Sequence, residues 1–215
     1  MNTILIPAFQ LIVLIFSVML HEVAHGFAAL KLGDRTAKDA GRLTLNPLKH
    51  IDPIGSIILP IALYVLHSPV MLGWAKPVPY NPNNLSKDYK HGPLKVALAG
   101  PATNLFVAFV FGIALRFGGS YLPISAAALM GYIVFLNLNL AVFNLLPIPP
   151  LDGSKLLSLI SPSAAVFIER SGMTGLLLLM VFLYFFSGVI SFVSAALFQL
   201  FAGANAVQMF INFFG

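Results

Sequence analysis

The sequence predicts an all-α polytopic membrane protein of about five to six apolar helices, with short extended or re-entrant pieces beside its functional site. Three observations predict it. Hydrophobic residues make up 59% of the 215 positions and charged residues only 9%. Mean hydropathy is +0.92. Apolar runs long enough for a hydrocarbon core of ~30 Å recur along the chain. Nothing is left over for a large extramembrane domain, so 1–215 reads as a single membrane-embedded domain and not as a soluble domain with one anchor.

The first apolar block, about 3–32, opens with Ile4 to Leu20, seventeen residues without a charge. It lacks a basic n-region and an A-x-A cleavage site, so it is expected to be a retained helix and not a removed signal peptide. Block 54–72 is apolar but carries Pro60, His67 and Pro69. A re-entrant or interfacial segment is expected there, its irregular backbone tolerated because protein covers it. Blocks 94–117 and 124–146 have spanning length, and 172–213 suffices for one tilted span or two shorter ones, with Ser187-Gly188 and Gly203 as candidate breaks.

Loops 31–52 (Lys31, Arg35, Lys38, Arg42, Lys49) and 73–95 (Lys76, Lys87, Lys90, Lys95) hold nine of the twelve basic residues. The positive-inside rule places both in the cytoplasm. The N-terminus then lies outside, 94–117 runs outward and 124–146 returns, bringing 147–153 back near the depth of His25. Within the loops, 41–46 and 76–80 read as short extended pieces, the second kept out of helix by Pro77 and Pro79.

The formal net charge of +5 resides between the apolar runs and reads as topology and contact with the lipid bilayer; no basic block suits nucleic acid. There is no cysteine, which excludes disulfides and Cys-ligated metal and leaves His and carboxylates as ligands.

The chemistry is concentrated at His21-Glu22-Val23-Ala24-His25, an HExxH pattern at the end of the first apolar run. Residues four apart on an α-helix differ by roughly 40° around its axis and can offer two imidazoles to one metal. Glu22 then lies beside the metal, where a general base can take a proton from water. The competing reading is two helix histidines with no metal. It has to place two histidines and a glutamate at hydrocarbon depth, where an ionisable side chain costs at least ~2.5 kcal/mol.

A catalytic zinc usually takes three protein ligands. Position 31, where one zincin pattern would need a third His, is Lys31, and Asp39 and Asp52 sit among basic residues in a loop broken at Pro47 and Pro53. Asp152 follows the apolar helix 124–146 and the rigid run Pro147-Ile148-Pro149-Pro150, which ends the helix and aims what comes next. It is either an acid able to reach the His pair or an ordinary Asp-Gly turn at a helix exit. His50, His67 and His91 read as surface or packing histidines.

Three motifs in order, His21-Glu22-Val23-Ala24-His25, Gly100-Pro101-Ala102-Thr103-Asn104, and Asn144 through Pro147, Pro149 and Pro150 to Asp152-Gly153, span roughly 20 to 155. With them the chain resembles the site-2 proteases, intramembrane zinc metalloproteases, of a small prokaryotic type without PDZ or CBS domain. The segment Gly73 to Pro79 also looks like this subgroup. The resemblance implies that His21, His25 and Asp152 hold Zn2+, that Glu22 activates water, and that Asn104 and Asn144 bind substrate backbone or stabilise the oxyanion. The alternative for Asn104 and Asn144 is a structural hydrogen-bonding role, for Asn104 as interhelical glue in close helix packing. The resemblance further implies a catalytic core over about 1–155, followed by C-terminal helices over 156–215. It also implies a prokaryotic cytoplasmic membrane, and as substrate a transmembrane protein such as an anti-sigma factor or a remnant signal peptide. Such a substrate must be unwound, since a helix hides its carbonyls, and pairing with 41–46 or 76–80 would do so.

Three competing classes have weaker support. A catalytically silent scaffold would tolerate loss of Glu22, and an ion or metal transporter has no need of a Glu directly after the first His. Membrane metalloproteases that take Glu as third ligand would have to use Glu169, which stands beside Arg170.

Overall fold

The computed structural model describes residues 4–66, 76–159 and 172–214, with 163, 166 and 170 between the last two stretches. Among the described residues the regular structure is helical, and four helices are long and apolar enough to cross a membrane: Leu5–Lys31, Gly92–Tyr121, Ile124–Asn144 and Leu177–Ala202. The all-α polytopic class expected from the sequence is therefore the class observed. The chain forms two compact units, Met1–Gly100 and Pro101–Gly215.

In the first unit, α1 (Leu5–Lys31) has 27 residues, about 40 Å at 1.5 Å per residue. Its buried stripe, Val13, Ser17, His21, His25 and Ala29, repeats every fourth position. Large apolar side chains, Leu5, Ile12, Phe16 and Phe27, lie on its exposed surface. A water-soluble helix shows the opposite pattern; here lipid is the outer solvent, so the polar groups turn inward.

The chain leaving α1 is tied down by Asp34, which is fully buried. Its carboxylate accepts from the Thr36 N–H at 3.0 Å and the Thr36 hydroxyl at 2.5 Å. It also accepts from the Asn81 N–H at 2.7 Å and the Asn84 amide at 3.1 Å. Burial pushes its pKa up, but hydrogen bonds led by that from Thr36 outweigh this and hold the carboxyl below its ordinary value. The short helix α2 (Thr36–Asp39) follows.

Asp52 then accepts from the N–H groups of Ile54 and Gly55, at 3.1 and 2.7 Å. It starts a wide π-type turn over Pro53–Ile58 that runs into α3 (Leu59–Val65). Of the expected re-entrant block 54–72, the described part is 54–66, helical through Val65. Its remainder, with His67 and Pro69, lies outside the described residues, as do Gly73 to Ala75. Residues 76–80 carry no regular structure, and Pro77 and Pro79 have no N–H to give to a helix or a strand ladder.

In the second unit, α4 (Gly92–Gly118) continues from the first without breaking at Pro101. It is followed by α5 (Ile124–Asn144), α6 (Gly172–Ala202) and α7 (Ala204–Phe214). The core is built on small residues, Ala108, Ala127, Ala202 and Ala206, interleaved with Leu115, Val134, Leu138 and Phe198. Small side chains let helices approach closely, the main source of packing energy where lipid is as apolar as the core. The break in the last apolar block falls at Gly203, φ 84°, and α6 runs through Ser187-Gly188 unbroken. Arg116 donates to the Leu200 carbonyl at 2.5 Å, satisfying a C-terminal acceptor of α6. Tyr184, Phe185 and Phe192 on α6 are exposed, as a lipid-facing helix requires.

Candidate metal centre

α1 is long enough to carry His21 and His25 one turn apart on its buried stripe, 6% and 9% exposed. Their ring centroids are 4.7 Å apart with planes at 86°. One ligand atom from each of His21, Glu22 and His25 lies within 4.8 Å of the others.

The start of α4 completes this geometry from the opposite side. The Val96 carbonyl accepts a hydrogen bond from His25 Nδ1 at 2.7 Å. With the proton on Nδ1, His25 Nε2 keeps a lone pair for a metal, the usual orienting contact for a ligating histidine. One turn on from Val96 stands Gly100. A Cβ at Gly100 would fall 2.5 Å from His25 Nε2 and 2.6 Å from His21 Nε2. Both imidazole nitrogens therefore converge on a small cradle that any other residue would fill. Zinc lies about 2.0–2.1 Å from imidazole nitrogen, so the space and donor set fit that ion.

Glu22 is half-buried and accepts from the Val78 N–H at 2.8 Å. The segment carrying Val78 is pinned on both sides. The Lys76 N–H donates to the His50 carbonyl at 2.8 Å, and Arg42 donates to the carbonyls of Lys76 and Pro77 at 2.8 and 3.4 Å. These backbone groups of 76–78 are already engaged, so a substrate strand can pair with them only by displacing those bonds.

Asp152 belongs to the second unit. It is half-buried and heads a 3-10 helix, Asp152–Leu159. The turn is pressed against the end of α5: a side chain at Gly153 would collide with the carbonyls of Leu145 and Leu146. This close approach fixes where Asp152 begins its helix.

Asn104 is fully buried, its amide donating to Asn137 at 2.8 Å, while Asn137 donates to the Ile133 carbonyl at 2.9 Å. This pair joins α4 to α5. Asn144, half-buried, donates to the Leu140 carbonyl at 2.9 Å. His50 is buried and bonded to the Thr44 carbonyl at 2.9 Å, whereas His91 is exposed beside Asp88 at 3.7 Å. Asp39 is exposed near Arg35, and Glu169 lies outside the described residues.

The motif Gly100 to Asn104 was visible in the sequence, but the clearance at Gly100 was not. Arg42, Val78 and the Val96 carbonyl have no local signal, because each acts on a residue far along the chain.

An HExxH pair buried on an apolar helix, with an oriented imidazole, defines a metalloprotease-type centre. The chain is 39% identical over 181 residues to "Putative zinc metalloprotease YwhC" of Bacillus subtilis, covering 80% of this chain and 78% of that protein. It is 36% identical over 144 residues to "Putative zinc metalloprotease Rip2" of Mycolicibacterium smegmatis, 65% of this chain and 52% of the relative. It is 28% identical over 159 residues to "Zinc metalloprotease MJ0392" of Methanocaldococcus jannaschii, 73% of this chain and 35% of the relative. No protein-family model matches the chain, and no solved structure matches it. With its ordered motifs and these relatives, the chain belongs to the site-2 protease family and is a multi-pass membrane zinc metalloprotease.

Proposed function

We propose that this protein is an intramembrane endopeptidase that cuts within or near transmembrane segments of other membrane proteins. One observation carries the reading: two imidazole nitrogens converge beside Gly100, with the Glu22 carboxylate next to them, on a helix whose outer surface is apolar. His21 and His25 would hold zinc, and the family's third motif assigns Asp152 as the third ligand. Zinc held there supplies a Lewis acid for the scissile carbonyl and acidifies water. Glu22 takes the proton from the attacking water and delivers it to the leaving amine. Asn104 and Asn144 are the family's candidates for holding substrate backbone or the oxyanion. The bonds they make with Asn137 and Leu140 mean that such a role requires their amides to turn toward substrate.

Family membership and the two basic loops support a prokaryotic cytoplasmic membrane with both loops inside, and a role in regulated intramembrane proteolysis. An anti-sigma factor or a remnant signal peptide is the expected substrate type.

The ligand set is tested by metal content. Purified wild type should carry about one zinc per chain, and His25→Ala and Asp152→Ala should each lose most of it. Full retention in Asp152→Ala would remove that residue from the site and leave the His pair to find its third ligand elsewhere.

A further inference from the structure

We propose that Arg42 is a positioning residue for the general base, acting through the strap Lys76–Val78. The inference rests on Glu22 being that base. Arg42 is 9% exposed, and a guanidinium so far removed from solvent needs hydrogen-bond acceptors for its donors. Its Nη2 holds the Lys76 and Pro77 carbonyls, the two acceptors immediately before the Val78 N–H that bonds Glu22 at 2.8 Å. The His50 carbonyl holds the same residue, Lys76, through its N–H. Pro77 and Pro79 flank Val78, so Val78 carries the only backbone N–H between Lys76 and Tyr80. The strap therefore presents a single donor to the carboxylate, at a position that Arg42 sets.

A carboxylate on a flexible side chain has several rotamers, and a general base must be held in one that faces its water. The Val78 N–H takes one oxygen of Glu22 and fixes the rotamer, leaving the second oxygen to receive the proton. Loss of Arg42 releases the Lys76 and Pro77 carbonyls and loosens the strap. Glu22 then keeps its chemistry and loses its aim, a loss that falls on kcat, whereas the zinc ligands His21 and His25 are untouched.

The test uses the full chain in detergent micelles and a synthetic single-span peptide as substrate. Arg42→Ala should lower kcat about 10- to 100-fold, the range for losing an orienting contact, with KM within about twofold and zinc content unchanged. Arg42→Lys, which keeps a donor without the planar fork, should recover part of the loss. Amide exchange in fragments covering 77–80 reads the N–H groups of Val78 and Tyr80 alone, and it should quicken in Arg42→Ala. In a Glu22→Asp background, whose shorter carboxylate no longer reaches Val78, adding Arg42→Ala should cost little more. A wild-type kcat in Arg42→Ala, or losses from the two substitutions that multiply independently, overturns the proposal. Should Arg42→Ala fail to fold, Val78→Pro removes the donor directly and must give the same fall in kcat; a wild-type kcat there overturns it equally. Near-normal cleavage by Glu22→Gln would instead show that the base assignment is at fault.

Discussion

Glu22→Gln is expected to keep the zinc and the fold while cutting a transmembrane substrate roughly 10²–10⁴-fold more slowly. The two side chains are nearly isosteric, and the amide oxygen of Gln can still accept from the Val78 N–H that now bonds Glu22 at 2.8 Å. The strap and the histidine pair should therefore stay in place. What disappears is the ability to take a proton from water, because a protonated amide is not accessible near neutral pH. Turnover of a single-span peptide, with metal content measured on the same preparation, checks both halves. A rate close to wild type with zinc bound would point to another base.

Gly100→Ala is expected to empty the metal site without altering any ligand. The added methyl would stand 2.5 Å from His25 Nε2 and 2.6 Å from His21 Nε2, inside any allowed contact distance. The rings would have to move aside. His25 cannot do so and keep its Nδ1 bond to the Val96 carbonyl at 2.7 Å, and that contact belongs to the same face of α4 as Gly100. Zinc affinity should fall by at least the ~10- to 100-fold that follows loss of an orienting contact, with far less change in helical content. Wild-type zinc affinity in this variant would mean that the two nitrogens do not share one ion. Together the two variants separate loss of the base from loss of the metal.

Much of this site is legible in the sequence because its parts follow local rules. The i, i+4 spacing of His21 and His25 is a helical rule, and the uncharged run before it announces the membrane. Gly203, read as a possible break, separates α6 from α7. Ser187-Gly188, read the same way, does not, because a glycine inside a long apolar helix is tolerated where lipid leaves the backbone no partner but itself. What local rules do not reach is tertiary contact: Arg42 meets its carbonyls 34 and 35 positions away. Val78 meets Glu22 across 56. Asp34 is an intermediate case. Its bonds to Thr36 form an Asp-x-Thr turn that the sequence contains, whereas its bonds to Asn81 and Asn84 depend on the fold.

The proposed activity is cleavage within or beside a membrane span. It is tested most directly by mapping, by mass, the peptide bond that the purified protein cuts in a single-span substrate reconstituted in liposomes. The expected result is a cut inside the apolar segment or within a few residues of its end, present in wild type and lost in Glu22→Gln. Cleavage confined to soluble tails far from the span, or cleavage that persists unchanged in Glu22→Gln, would contradict it.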